Sequence, residues 1–244
     1  MTSNEALTRL QALGLPPAES KVLFDHFADA ERRGKLGHGF SRIPWLEQQP
    51  FDRSARPTRG SQENGIDRWN GNGALGYLTL AAICDALIAE GVDGACLIVA
   101  SRCFPTGSLG YWVRRLAEAG YVALLTATSP RRLPPPEGGE PLTGTNPLAI
   151  AIPSAQGEPL VTDVSMGAVT HGDVIAGRAT SEELVPFGAP LAHKAFALAV
   201  GLELFVSALA GPEHSAVLLV ARPEHDPVPT FRELAAGVRL PGDS

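Results

Sequence analysis

The sequence predicts an α/β protein of α+β-like character, a mixed or antiparallel sheet with helices packed on it. Three observations carry this. Short continuous apolar runs, such as residues 95–100 and 216–221, read as buried strands. Longer segments carry apolar residues at helical spacing. The two kinds are intermixed without a strict strand–helix alternation, and no GxGxxG joins a strand to a helix, so a Rossmann site is not indicated.

The elements follow in order. Residues 18–34 predict a helix, with Val22, Leu23, Phe24, Phe27 and Ala30 on one face and Gly34 and Gly37 ending it. Residues 44–72, rich in Pro, Arg, Asn and Gly, predict an extended surface loop closed by the turn signal Asn70-Gly71-Asn72-Gly73. Residues 74–90 predict a second helix and 109–119 a third, stopped by Gly91 and Gly120. Between and after them lie buried strands at 95–100 and 121–127. Residues 148–152 and 160–164 predict a strand pair joined by Ser154-Ala155-Gln156-Gly157. The helix at 193–210 is apolar almost all round and is therefore expected at the centre. A last strand is expected at 216–221. The organisation expected is one unit, with 1–70 and about 211–244 on the helical, substrate side and 71–210 carrying the sheet.

Composition narrows the function. The 244 residues are 44% hydrophobic and 19% charged, enough for a sizeable core. Net charge is −6 and the basic residues form no stripe, which argues against nucleic acid. Three cysteines without a CxxC fit a reducing cytoplasm better than a disulfide framework. The polar N-terminus has no signal-peptide core, and Glu203 marks the long apolar helix as a core helix, so no membrane partner is expected. No histidine pair has ligand spacing, so no metal is expected.

Five short segments can carry chemistry. Gly37-His38-Gly39-Phe40-Ser41-Arg42 puts a proton donor near a guanidinium that matches a carboxylate, or is a solvated loop. Asn146, in Gly144-Thr145-Asn146-Pro147, is biased to an extended backbone by Pro147; it offers a two-way amide to a carboxamide ligand, or closes an Asx turn. Asp163 and Ser165, in Thr162-Asp163-Val164-Ser165, can meet ribose hydroxyls or cap a turn. Asp173, after His171-Gly172, can orient an imidazole or lie in a solvated turn. His193-Lys194 opens a helix, as a phosphate site or as ordinary polar end residues.

Together, and in this order, these segments resemble the type 2 malate/L-lactate dehydrogenase family, which includes ureidoglycolate and sulfolactate dehydrogenases and reductases of Δ1-pyrroline- and piperideine-2-carboxylate. The resemblance adds Ala30-Glu31-Arg32-Arg33-Gly34, Gly71 to Gly76, the apolar continuation of GTNP to Pro153, and Leu240-Pro241-Gly242. It implies a non-Rossmann NAD(P)-binding sheet and a homodimer. It implies His38 as the catalytic acid and Arg42 on the substrate carboxylate; Asp173 in support of His38 and Thr145 on the substrate are expected from their own segments. It also implies Asn146, Asp163, Val164, Ser165, His193 and Lys194 on the cofactor. Two departures stand out: the family pattern Ser-His-Gly has Gly37 here, and its second histidine is replaced by Cys103. The segment between the Asp-x-Ser strand and the His-Lys helix is also short.

The resemblance therefore implies an NAD(P)H-dependent reductase of a small 2-imino or 2-oxo acid. Cyclic imino acids are preferred because the second histidine is missing. Arg131 and Arg132 either meet a 2′-phosphate or lie in a solvated loop; the first reading tilts the coenzyme toward NADP(H) over NAD(H). A malate/lactate-type 2-hydroxy-acid dehydrogenase and a catalytically degenerate binding protein are the alternatives.

Overall fold

The computed structural model of the chain describes residues 1–63 and 65–242. Among the described residues the order is α1 (Ser3–Gln11), α2 (Pro17–Arg32), 3-10 turns at Leu36–His38 and Phe40–Arg42, α3 (Ile43–Leu46), β1 (Thr58–Glu63), β2 (Ile66–Asn70), α4 (Gly76–Glu90), β3 (Ala95–Ser101), α5 (Leu109–Glu118), β4 (Val122–Ala127), β5 (Leu148–Ile152), β6 (Leu160–Val164), α6 (His171–Ile175), α7 (Ala192–Ala210), β7 (Ala216–Ala221) and α8 (Val228–Leu234).

The seven strands form one sheet in the order β1-β2-β3-β7-β4-β5-β6. β2 and β3 pair parallel; the other pairs are antiparallel. This is the mixed, largely antiparallel sheet that the sequence predicts. β7 enters between β3 and β4, which fits its apolar run: it has neighbours on both sides and is buried along most of its length, with Leu219 exposed. The sheet draws strands from both sides of residues 70/71 and 210/211, so it crosses the boundaries expected from sequence.

The two faces are covered unequally. Alternate residues of β3 separate them, Ile98 and Ala100 facing the large core and Leu97 and Val99 the other side. The large core joins α1, α2, α4 and α5 to the sheet around the fully buried Trp112, Tyr77 and Phe27. The opposite face carries α7, which packs on β3, β4 and β7.

Two expectations are corrected. α7 is not central: only Ala195, Ala199 and Val206 are buried, while Leu198, Leu204 and Phe205 are 50%, 64% and 46% exposed. Its apolar surface exceeds what one sheet face can cover. Residues 44–72 are not a plain loop either, since they hold α3 and the antiparallel β1–β2 pair. β1 is an exposed polar edge strand, held by Arg59 to the buried Asp67 and to Glu90. Its polarity hides it from a search for apolar alternation.

Candidate active site

A cavity of about 310 Å³ opens where the turn after α2, the loop before α5, the GTNP segment and α6 converge. Its walls include Lys35, His38, Arg42, Phe104, Ser108, Arg132, Thr145, Asp163, Ser165, His171 and Asp173.

The His38 segment is held from two sides. Glu31 of α2 accepts the Phe40 backbone N–H at 2.7 Å, which fixes the turn that carries Arg42. On the other side the N-terminus of α6 presses on Gly37. A Cβ on Gly37 would lie 2.7 Å from Thr170 Oγ1 and 2.8 Å from Asp173 Oδ1. The contact thus favours Gly37, and the Thr170–Asp173 pair fills the space where the family pattern has a serine. Thr170 Oγ1 donates to Asp173 Oδ2 at 2.6 Å, so this hydroxyl serves the helix cap and not His38.

His38 has no protein hydrogen-bond partner at its buried Nδ1. Burial pushes its pKa down to about 4; Asp163 opposes this, Arg42 and Lys35 add to it, and Asp173 opposes it more weakly. Asp173 therefore does not orient the ring by a hydrogen bond, contrary to the expectation from sequence. It caps α6 and receives Arg178 Nε at 3.2 Å.

Arg42 is 8% exposed, its guanidinium lies 4.0 Å over the Trp45 ring, and its Nε has no partner. Arg132 comes from the loop after β4. Burial, and then the facing charge of Arg42, lower its pKa. Neither arginine pairs with a carboxylate among the described residues. His171 faces both and is held down to about 4 by burial, Arg132 and Arg42.

Asp163, at the end of β6, is built in differently. Its Oδ2 accepts from Lys35 Nζ at 2.8 Å, Ser108 Oγ at 2.7 Å and Gly110 N at 3.0 Å. Burial alone would raise its carboxyl; Lys35, Ser108 and His38 outweigh that and hold it below the usual range. The Ser108 loop is itself anchored, since its N–H donates to the buried His26 Nε2 at 3.0 Å and Trp112 Nε1 donates to Thr106 O at 2.8 Å. Gly107 in this loop has φ +71°, and His26 and Tyr77 stand where its Cβ would be, so only glycine fits.

The structure thus brings together His38, Arg42, Thr145, Asp163, Ser165 and Asp173 and leaves out four predicted residues. Asn146 has φ +32°, not the extended backbone expected before Pro147. Its Nδ2 donates to Ala199 O at 2.9 Å and Glu203 Oε2 at 2.7 Å, so the amide ties the GTNP segment to α7 and turns from the cavity. Val164 is 45% exposed outside the cavity. His193 and Lys194 are exposed on the α7 end and do not line it. Cys103 is fully buried beneath the wall, its thiol pushed up to about 12 by burial, and Phe104 faces the cavity beside it.

Lys35, Ser108 and His171 are site residues that the sequence reading missed. His171 adjoined a motif already marked, which was its only local signal. Arg132, expected either at a 2′-phosphate or in a solvated loop, lines the cavity that Arg42 also lines.

The cavity thus sets His38, Arg42 and Arg132 on one wall of a mixed sheet that carries no Rossmann motif. The malate/L-lactate dehydrogenase family model matches residues 3–184, and the chain belongs to that family. It is 31% identical to a Δ1-pyrroline-2-carboxylate/Δ1-piperideine-2-carboxylate reductase of Pseudomonas putida, over 86% of this chain and 71% of that protein. It is 30% identical to (2R)-3-sulfolactate dehydrogenase (NADP(+)) of Chromohalobacter salexigens, over 73% of this chain and 55% of that protein. The crystal structure of Δ1-piperideine-2-carboxylate reductase from Pseudomonas syringae superposes with a TM-score of 0.84 at 26% identity, covering 99% of this chain and 89% of that one.

Proposed function

We propose that this chain is an NAD(P)H-dependent reductase of a small 2-imino or 2-oxo acid, with cyclic imino acids as the preferred substrates. The observation that carries the reading is a buried, unpaired Arg42 in one cavity with His38. A buried cation without a counter-ion is costly, so a carboxylate ligand relieves it.

The cavity fits the nicotinamide end of the cofactor. Ser129, Thr145 and Ser165 offer hydroxyls along its wall, the donors and acceptors that a carboxamide and ribose hydroxyls need. When bound, the reduced cofactor supplies a hydride to C2. Arg42 holds the substrate carboxylate. With substrate and cofactor bound, His38 in its protonated, imidazolium form would be the group that gives a proton to the nitrogen or oxygen on C2. His38 is neutral in the free chain above pH of about 4. Burial is the main cause of its depressed pKa and Arg42 adds to it; a carboxylate at Arg42 would offset the Arg42 part.

NADP(H) is the coenzyme favoured by the sulfolactate relative. The exposed face of α7 supports a homodimer, and three free cysteines support a reducing, cytoplasmic setting. A 2-hydroxy-acid dehydrogenase is the second reading, favoured by the same neutral His38, which can accept a hydroxyl proton.

The test is turnover of pyrroline- and piperideine-2-carboxylate, pyruvate-type acids and malate with both coenzymes, for wild type and His38→Gln. Imine reduction that falls about 10²–10⁴-fold in the variant supports the reading. Undiminished turnover removes His38. Absence of any coenzyme binding by fluorescence quenching or thermal shift leaves a degenerate binding protein.

A further inference from the structure

We infer that Trp45 is a positioning residue for the carboxylate clamp: its ring holds the Arg42 guanidinium by one face and leaves the N–H edge free for the acid. The inference rests on the proposed reductase reading, in which Arg42 binds the substrate carboxylate, and adds the residue that fixes how Arg42 is presented.

The contact is built in locally. Arg42 leads directly into α3, and Trp45 follows it by three residues, so both side chains lie on one face of a continuous turn. The Arg42 Cζ lies 4.0 Å from the Trp45 ring centroid, against 5.2 Å for Arg53 over Phe51, 5.6 Å for Arg222 over Tyr121 and 5.8 Å for Arg59 over Trp69. The Trp45 ring is half-buried and also meets Phe104, with centroids 6.5 Å apart and planes at 88°. Phe104 lines the cavity, so two neighbours on the cavity wall, Arg42 and Phe104, fix the plane of the indole.

A ring and a carboxylate relieve a buried cation in different ways. The ring's negative face attracts the flat side of the guanidinium and takes none of its N–H groups. A carboxylate takes them, because the donors point outward in the guanidinium plane. Arg59 shows the second way: its N–H groups are on Asp67 and Glu90, and its ring contact is the longest of the four. Arg42 shows the first. It is 8% exposed, keeps an unpartnered Nε and meets no carboxylate within ion-pair distance among the described residues. The ring therefore compensates part of the charge from the face while the edge stays open to a ligand. It also restrains a long side chain before the acid arrives, which lowers the entropy lost on binding.

The experiment measures binding of pyrrole-2-carboxylate, a flat and non-reacting carboxylate, by titration calorimetry with NADPH present, beside steady-state reduction of pyrroline-2-carboxylate. Wild type, Trp45→Leu, Trp45→Phe, Arg42→Met and the double variant Trp45→Leu/Arg42→Met are compared, each first shown to keep a cooperative thermal transition. Trp45→Met replaces Trp45→Leu if the latter does not fold. Expected in Trp45→Leu is probe binding about tenfold weaker and a KM raised by a like factor, with kcat within about twofold of wild type. Trp45→Phe keeps most of the wild-type affinity, because it keeps an aromatic face. In the Arg42→Met background the loss of the ring changes probe binding no further, since its effect passes through the missing guanidinium. Unchanged probe affinity in Trp45→Leu overturns the inference. So does a Trp45→Phe variant no better than Trp45→Leu, or a full loss repeated on top of Arg42→Met, because either makes Trp45 a packing residue only. Coupling of Trp45 and Arg42 in probe binding, in a chain that reduces no imine, would sink the reductase reading alone. Imine reduction that needs Arg42 and His38, with the probe bound equally well in Trp45→Leu, would sink this inference alone.

Discussion

The cavity has two walls of opposite character. On one, Asp163 gathers Lys35, Ser108 and the Gly110 N–H on a single oxygen, and the loop that carries Ser108 is locked by His26 and Trp112. On the other, Arg42, Arg132 and His171 face one another with no carboxylate among them. The first wall is complete within the protein and holds the fold. On the proposed function, a ligand supplies what the second lacks. The contrast says that burial of charge is not by itself a functional sign. What separates the walls is whether the chain supplies the counter-charge.

The sharpest way to break this contrast is to remove one charge from each wall. Arg42→Met should cost about 2–5 kcal/mol of substrate binding and transition-state stabilisation, the range for truncating a buried hydrogen-bonded charge pair. It should leave the melting temperature unchanged or raised, because a repelling cation is gone. Steady-state kinetics beside a thermal melt reads both at once. A large fall in melting temperature would place Arg42 in the structural wall and end the comparison.

His26 tests the completed wall through pH. It is fully buried, and burial, followed by the charge of His38, depresses its pKa to about 3 against 6.5 in the unfolded chain. A histidine held neutral in the fold binds fewer protons than in the unfolded state. Stability is therefore full above about pH 6.5 and falls as pH drops toward 3, at about 1.4 kcal/mol per pH unit from this residue. His38 acts in the same sense down to about 4. Urea unfolding at pH 7, 6 and 5 measures the slope, and His26→Gln should flatten it. An identical slope in the variant would mean that His26 is not buried neutral.

Asp163→Asn is the matching cut on the same wall. It should destabilise by about 2 kcal/mol, below the roughly 3–5 kcal/mol of a fully buried pair, since Lys35 is 37% exposed. It also removes the main charge that supports a protonated His38, so the His38 titration seen by NMR should move further down from about 4. An upward movement would show that Asp163 does not act on the ring.

The sequence made the segments of both walls visible but not the sorting between them. The strands at 148–152 and 216–221 match their apolar runs residue for residue, because strands paired on both sides leave a continuous pattern, and β6 at 160–164 follows as the edge strand paired to the first of them. The β1–β2 pair left none, as its outer strand is wholly polar and is held by ion pairs from elsewhere. Asn146 and His193-Lys194 show the same limit at the site. A motif marks where chemistry-bearing residues occur, but the direction of a side chain is set by tertiary partners, here Glu203 and Ala199 on α7. Arg132 and His171 became site residues only when the β4 loop and α6 met over the His38 turn.

That meeting point gives the finest test. The family pattern has serine where this chain has Gly37, and restoring it looks on sequence grounds like a repair. The packing argues the reverse. A Cβ there would press on Thr170 Oγ1 at 2.7 Å and Asp173 Oδ1 at 2.8 Å, too close for either to stay. Both contacts are side-chain atoms that can turn aside, so Gly37→Ser should cost about 1 kcal/mol, the low end of overpacking. The loss should be felt at α6, whose first turn depends on the Thr170–Asp173 cap. Gly37→Ser with Thr170→Ala should lose less than the sum of the two single changes, because one vacated hydroxyl makes room for the other. Strict additivity of the melting shifts, or a Gly37→Ser protein as stable as wild type and more active, would mean that the serine's place is open and that the Thr170–Asp173 pair has not taken it.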